Sequence, residues 1–586
     1  MLLTAVATTV PAGEAAAGTY DITVDRVSFD TGAFVKTGVG YNGSQIPTVL
    51  RWTEGEEVTI NVTNNLNEDT SIHWHGLILP YTQDGVPGLG FDGIAPGETF
   101  TYRFPLVQAG TYWFHSHSGF QEPDGAYGAI IIEPAGHEPF RYDRDHVVQL
   151  TDKHPHDGAR IMRNLKMMPD YYNRQQRTLF DLIDDAQEMG LGAALDERAA
   201  WGDMRMMPTD IEDVQGYTPL LNGLGPTEPW TGLFEPGERV RLRFINSAAM
   251  SYFDIRIPGV SMTVVQADGN NVQPVVVDEL RIAVAETYDV IVRLPEDRAY
   301  TIVAESVARS AMAIGTLAPR EGMWGDVPAL REPPLLTMAD MGMAHGDHGS
   351  MDHGAMEQDD AMHMMADGSM MAGANHDKHA MDGEDGMAAM DHSSHTMPDG
   401  TEMTGMAHDG EGSGDPFYAP GSGLQPSAAD GGRMLTYADL RALAPLYEDR
   451  EPDREIVLRL TGNMERYVWS IDNVKHEDAE PIVLHYGERV RFTFVNKTMM
   501  THPMHLHGMW SIVDTGKGQW DPVKHVVSVS PGTTVSMETE VDATGEWLLH
   551  CHLAYHMEAG MMRHIIVEGG PGEGVATSHD HHGTEG

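Results

Sequence analysis

Gly55-Glu56-Glu57-Val58-Thr59-Ile60-Asn61-Val62-Thr63-Asn64 returns twice along the chain. It recurs as Gly237-Glu238-Arg239-Val240-Arg241-Leu242-Arg243-Phe244-Ile245-Asn246 and as Gly487-Glu488-Arg489-Val490-Arg491-Phe492-Thr493-Phe494-Val495-Asn496. The shared pattern is a glycine turn feeding a strand with one apolar side, because successive strand side chains point to opposite faces. Three copies predict three related β-domains. Further alternating runs, Thr99 to Phe104 and Thr533 to Val541, follow Pro-Gly turns and predict antiparallel sandwiches.

The copies start 182 and then 250 residues apart, and the surplus falls where composition collapses. Met338 to His408 holds 16 Met, 9 His and 14 Asp+Glu with no aromatic residue. Such a stretch buries too little apolar surface to offset its ordering entropy, so it is expected to be disordered. Leu179, Leu182, Ile183 and Ala186 have helical spacing and predict a partly helical insertion at about 154–213. The division expected is therefore 19–140, 141–335 and 431–570 for the three sandwiches, an insert and linker over 336–430, and a His-containing tail over 571–586. Residues 1–18 read as the remnant of an export signal whose start is missing, or as a loose N-terminus.

The formal charge of −49 repels phosphate backbones and excludes nucleic-acid binding as a main function. No apolar run is long enough for a membrane span, and a monomer is expected. The 38 Met, 30 His and single Cys combine thioether, imidazole and one thiolate, the ligand set that copper prefers.

The repeats serve as rulers for those ligands. Eighteen residues after Gly55 and after Gly487 come His73-Trp74-His75-Gly76 and His505-Leu506-His507-Gly508. Further on come His115-Ser116-His117, 60 residues after Gly55, and His550-Cys551-His552, 63 after Gly487. The second copy has Ile255-Arg256-Ile257 and Ala304-Glu305-Ser306 instead. His154-Pro155-His156 and His579-Asp580-His581 obey no repeat and read as chance pairs. In a strand, residues i and i+2 share a face. His550 and His552 can thus face metals on one side while Cys551 faces another metal opposite. Eight histidines suit a cluster of three metals with positions open for a small ligand. His502, Cys551, His556 and Met561 form His2Cys with a weak axial Met, the set of a blue-copper electron-transfer site.

These four blocks, with Trp113-Phe114 before His115 and His502-Pro503-Met504 before His505, resemble the multicopper oxidases. Thr461-Gly462-Asn463-Met464-Glu465-Arg466-Tyr467 and the repeats Met351-Asp352-His353 and Met390-Asp391-His392 are similar to the bacterial copper-resistance protein A group. The resemblance implies an all-β fold of three cupredoxin-like Greek-key sandwiches and four coppers. It implies type 1 copper at His502, Cys551, His556 and Met561, and type 2 at His73 and His505. The type 3 pair would take His75, His115, His117, His507, His550 and His552. Asp84 resembles an acid used in proton transfer near the cluster, although it also reads as a turn aspartate before glycine. Some cuprous oxidases place a glutamate directly after the second type 1 histidine; here Met557 stands there and Glu558 follows, so Glu558 joins Cys551 and Asp84 as a candidate catalytic residue, a proton relay.

The activity implied is oxidation of Cu(I), and of phenolic donors, coupled to reduction of dioxygen to water, in periplasmic copper resistance. The alternative is a copper-sequestering protein whose Met-rich tract is the main element, with further weak copper sites in that tract. The full set of oxidase ligands favours the first, because storage alone does not require it.

Overall fold

The turn at Gly55 feeds a strand, Glu57–Asn64, whose Val58, Ile60 and Val62 are buried while the residues between them are not. That strand pairs in parallel with Gly18–Asp30 and antiparallel with Thr99–Pro105. The other two copies repeat the arrangement. Arg239–Asn246 lies between Arg144–Lys153 and Thr287–Arg293, and Arg489–Asn496 between Arg454–Asn463 and Thr534–Glu540, with the same parallel and antiparallel senses. The computed structural model describes residues 18–204, 206–341, 394–396, 402–404, 415–463 and 466–571.

Each repeat strand belongs to a sheet that faces a second one, giving three cupredoxin-like sandwiches in an all-β fold. In the first, a four-stranded sheet faces Thr48–Thr53, Tyr127–Glu133, Gly110–His115 and His73–His75. In the second and third, six strands face five. The facing sheets carry the chemistry, and their register matches the spacing rule. His73 stands opposite His115, His505 opposite His550, and in the second sandwich Ile255 opposite Ala304.

The insertion in the second sandwich is helical at Gly158–Met167, Leu179–Met189 and Leu191–Asp203. The first is capped by Asp157, which accepts the Arg160 N–H at 2.7 Å, and the second by a Thr178/Asp181 box. The described segments flanking the Met-rich tract are ordered and packed, unlike the linker expected there. Leu336, Phe417 and Leu424 are buried in the core shared with the third sandwich. Asp340 ties the two flanks together, accepting the Gly423 N–H at 3.0 Å. Aromatic and leucine side chains outside the Met/His/Asp composition supply that burial. Residues 345–414 form a separate unit, in which an antiparallel pair, Ser394–Thr396 with Glu402–Thr404, is described. The disorder expected of the rest of the tract, the two Met-Asp-His repeats, the N-terminal segment and the tail from 572 lie outside the described residues. Among the described residues, no helix is long and apolar enough to cross a membrane.

Candidate metal centres

Cys551 ends the strand Gly545–Cys551, His502 opens the neighbouring His502–Leu506, and His556 sits on the short helix Ala554–Glu558. Their donor atoms converge. Cys551 Sγ lies 3.5 Å from His502 Nδ1 and 3.8 Å from His556 Nδ1, and the two Nδ1 atoms are 3.2 Å apart. All three side chains are buried. The opposite ring nitrogens are anchored: His502 Nε2 donates to Thr498 Oγ1 at 2.7 Å and His556 Nε2 to Asp213 Oδ2 at 2.8 Å. A proton held on Nε2 leaves Nδ1 with the lone pair a metal needs. The Trp469 ring stacks on His556 at 4.0 Å between centroids. Met561 is buried, and its carbonyl accepts the Cys551 N–H at 3.1 Å.

On the other side of the Cys551 strand, the four His-x-His pairs meet between the first and third sandwiches. Seven of the eight histidines are buried and His117 is partly so. Again one nitrogen is anchored. Nδ1 of His73, His505 and His550 donates to the backbone carbonyls of Asp84, His525 and Cys551 at 3.0, 2.6 and 3.0 Å. Asp84 Oδ2 accepts His507 Nδ1 at 2.8 Å, and its Oδ1 is 3.2 Å from His73 Nδ1. Nε2 of His73, His75, His115, His117, His505 and His552 has no hydrogen-bond partner among the described residues. The remaining two, on His507 and His550, face each other at 3.0 Å.

Buried polar atoms left unsatisfied in such number call for a ligand. Burial, and then the neighbouring imidazoles, hold His75, His117, His505, His507, His550 and His552 well below the usual histidine range. His502 is lowered in the same way by burial and then His556. Neutral rings with free lone pairs fit metal ions, and so does a soft thiolate between two imidazoles. Burial pushes the Cys551 thiol up, so its proton leaves only when a metal takes the sulfur.

Three side chains at these centres escaped the sequence reading. Glu122, on the short helix Gln121–Asp124, is buried with Oε2 3.1 Å from His115 Nδ1 and Oε1 3.8 Å from His552 Nδ1. It mirrors Asp84, since each carboxylate reaches one histidine from each end of the chain. Asp213, at the close of the helical insertion, also accepts the Tyr467 hydroxyl at 2.6 Å. His525 lies beside His75 and His505. Each comes from a segment with no repeat counterpart among the ligands, so spacing could not find it. Glu558 requires the opposite correction. It is exposed at the end of its helix, two residues beyond His556. The turn that aims His556 inward aims Glu558 outward, and the buried acid beside His552 is Glu122.

In the second sandwich, Ile255, Ile257, Ala304 and Ser306 stand where the others hold histidines, and the residues around them form ion pairs. Arg256 Nη1 meets Glu305 Oε2 at 2.8 Å, and Asp254 binds Arg281 and Arg309 at 2.8 and 2.6 Å. Charge satisfies charge there, with no free imidazole lone pairs.

Three profiles of the multicopper oxidase family match the chain at residues 21–137, 167–319 and 449–571. The chain belongs to the multicopper oxidase family, a family of copper-containing oxidoreductases that use oxygen and reducing substrates. Within it, the chain is 49% identical to a copper resistance protein A homolog of Pseudomonas syringae pv. tomato, over 94% of this chain and 92% of that protein. It is 47% identical to copper resistance protein A of Escherichia coli, with the same shares covered. The solved structure of Fet3p, a multicopper oxidase that functions in iron import, shares the fold with a TM-score of 0.63 at 17% identity, covering 94% of this chain and 91% of that one.

Proposed function

We propose that the chain is a four-copper oxidase that couples one-electron oxidation of Cu(I), and of phenolic donors, to reduction of dioxygen to water. The observation that carries this reading is the set of buried, unpaired histidine nitrogens joined through one strand to Cys551. His502, Cys551, His556 and Met561 would hold type 1 copper, and His73 and His505 type 2. His75, His115, His117, His507, His550 and His552 would hold the type 3 pair. Copper in these sites supplies one-electron redox chemistry at the first and dioxygen reduction at the cluster.

The chain's own part is geometric and electrostatic. The strand that carries Cys551 between His550 and His552 makes a covalent path of about 10 Å between the two centres. Asp84 and Glu122 hold histidines from both ends of the chain and stand as the groups that deliver protons to the cluster. Trp113 packs against His75 and His115, and Trp469 against His502 and His556, and both exclude bulk water. Asp213 is the polar group in contact with the His556 edge, where a donor's electron enters. The Met-rich tract supplies thioethers that favour Cu(I), and its acidic residues attract the cation. Copper resistance is the setting we infer from the relatives' names, and the apolar, alanine-rich Leu2-to-Ala17 stretch supports export to the periplasm.

The test is oxygen uptake by copper-loaded protein given Cu(I) or a phenol. Uptake at four reduced donors per oxygen supports the reading. Copper binding without uptake returns the chain to sequestration.

A further inference from the structure

The second sandwich holds none of the expected ligands, yet one of its turns touches both sandwiches that do. Asp268 and Gly269, at φ +49° and +75°, join the strands Met262–Ala267 and Asn270–Val277. Positive φ at both central residues makes the tight hairpin turn for which Asp-Gly is suited. On one side the turn meets the first sandwich. A Cβ at Gly110 would collide with the Gly269 backbone, and a Cβ at Gly269 with the Tyr112 ring. On the other side it meets the third, where Asn270 Nδ2 donates to the Val523 carbonyl at 3.2 Å.

Asp268 is wholly buried, and its Oδ1 accepts the Thr287 N–H of its own sandwich at 2.9 Å. Its Oδ2 accepts the N–H groups of His525 and Val526 at 3.1 Å each and pairs with Lys524 Nζ at 2.9 Å. Lys524 is buried too and has a second partner in Glu286, at 3.0 Å. The Val526 N–H and the His525 carbonyl belong to one peptide group, which is planar and stiff. That carbonyl accepts the His505 Nδ1–H at 2.6 Å. A carboxylate, a peptide and an imidazole thus stand in one hydrogen-bonded line. Negative charge at the N–H end of a peptide makes its carbonyl a stronger acceptor. A stronger acceptor at Nδ1 makes Nε2 of His505, which has no partner among the described residues, a better donor to a metal.

We propose that Asp268 is a positioning residue for the copper held by His505. Through the peptide between His525 and Val526 it fixes and polarises the carbonyl that orients the His505 ring, and so couples the second sandwich to the cluster. The inference rests on the four-copper reading above. It gives the sandwich without ligands a part in setting the type 2 site, distinct from holding its neighbours together.

The test is Asp268→Asn, which keeps the side chain's shape and removes its charge, with blue absorbance reporting that the third sandwich is folded. The type 2 electron paramagnetic resonance signal is expected to shift, and the affinity for that copper to fall about 10–100-fold, the range for losing an outer partner of a ligating histidine. Asp268→Glu keeps the charge but moves the carboxylate by one methylene; it is expected to shift the signal too, and it carries the test where the Asn variant does not fold. The control is Asp289→Asn, at another wholly buried carboxylate of the second sandwich, which accepts Thr111 Oγ1 of the first at 3.0 Å. It is expected to lower the melting temperature and keep the wild-type type 2 spectrum. Blue Asp268 variants with the wild-type spectrum and affinity would overturn the proposal, as would an equal shift in the control. Wild-type protein that takes up copper but shows no type 2 signal would overturn the four-copper reading itself, and this inference with it.

Discussion

Asp213 Oδ2 accepts hydrogen bonds from His556 Nε2 at 2.8 Å and from the Tyr467 hydroxyl at 2.6 Å, joining the second sandwich to the third over a sequence separation of 343 residues for the histidine pair. One carboxylate thus sets the tautomer of a metal-ligating ring and satisfies a buried phenol.

Asp213→Ala removes the acceptor from two buried donors, which costs about 1–3 kcal/mol for each group left unsatisfied. We expect a lower melting temperature for the metal-free protein and a shifted reduction potential at the blue site. Asp213→Asn, which keeps one acceptor oxygen, should recover part of the stability. Unchanged melting and potential in Asp213→Ala would show that the contact does not orient His556.

Cys551→Ser should abolish the blue absorbance and turnover while the metal-free fold survives, because no disulfide is lost. Circular dichroism and a copper count check this together. A blue, active serine variant would refute the type 1 assignment.

The metal-free protein should lose stability as the pH falls. His75, His117, His502, His505, His507, His525, His550 and His552 are all lowered, chiefly by burial. Below about pH 6.5 the unfolded chain binds protons that the folded chain refuses, so stability drops by up to about 1.4 kcal/mol per pH unit for each histidine. Melting curves of the metal-free protein from about pH 7.5 to 5 should show this decline. A flat metal-free profile would mean that the rings are solvated.

Asp84→Asn and Glu122→Gln should each slow oxygen reduction while leaving blue absorbance in place. General acid catalysis is typically worth about 10²–10⁴-fold. Glu558→Gln should stay within about twofold of wild type, an expectation from surface exposure. Steady-state oxygen uptake compares all three. A large loss at Glu558 alone would restore it as the relay.

Deleting residues 345–408 should weaken the apparent affinity for Cu(I) at low copper and leave phenol oxidation nearly unchanged. Kinetics with both donors decide it. Equal damage to both would make the tract a linker.

The repeat and its period-2 pattern made three sandwiches legible, and matched offsets made the four His-x-His pairs legible. The register bears out the offsets, since His73 pairs with His115 and His505 with His550. Glu122, Asp213 and His525 were not legible, because each acts through contacts between segments that follow no common spacing. Glu558 shows the converse. Being two residues from His556 says little on a helix, where successive side chains are rotated apart. Leu336 and Phe417 were absorbed into the low-complexity linker because composition was averaged over a stretch whose ends are packed.

The cluster's histidines come from opposite ends of the chain, His73 to His117 and His505 to His552. Synthesis runs from the N-terminus, so a nascent chain presents one half of the cradle long before the other exists. The full set of imidazoles with the thiolate therefore exists only in a finished chain, and copper bound at all of them would mark completed translation. Chains released before His550 lack the thiolate and a full set of imidazoles, and should stay colourless when copper is offered.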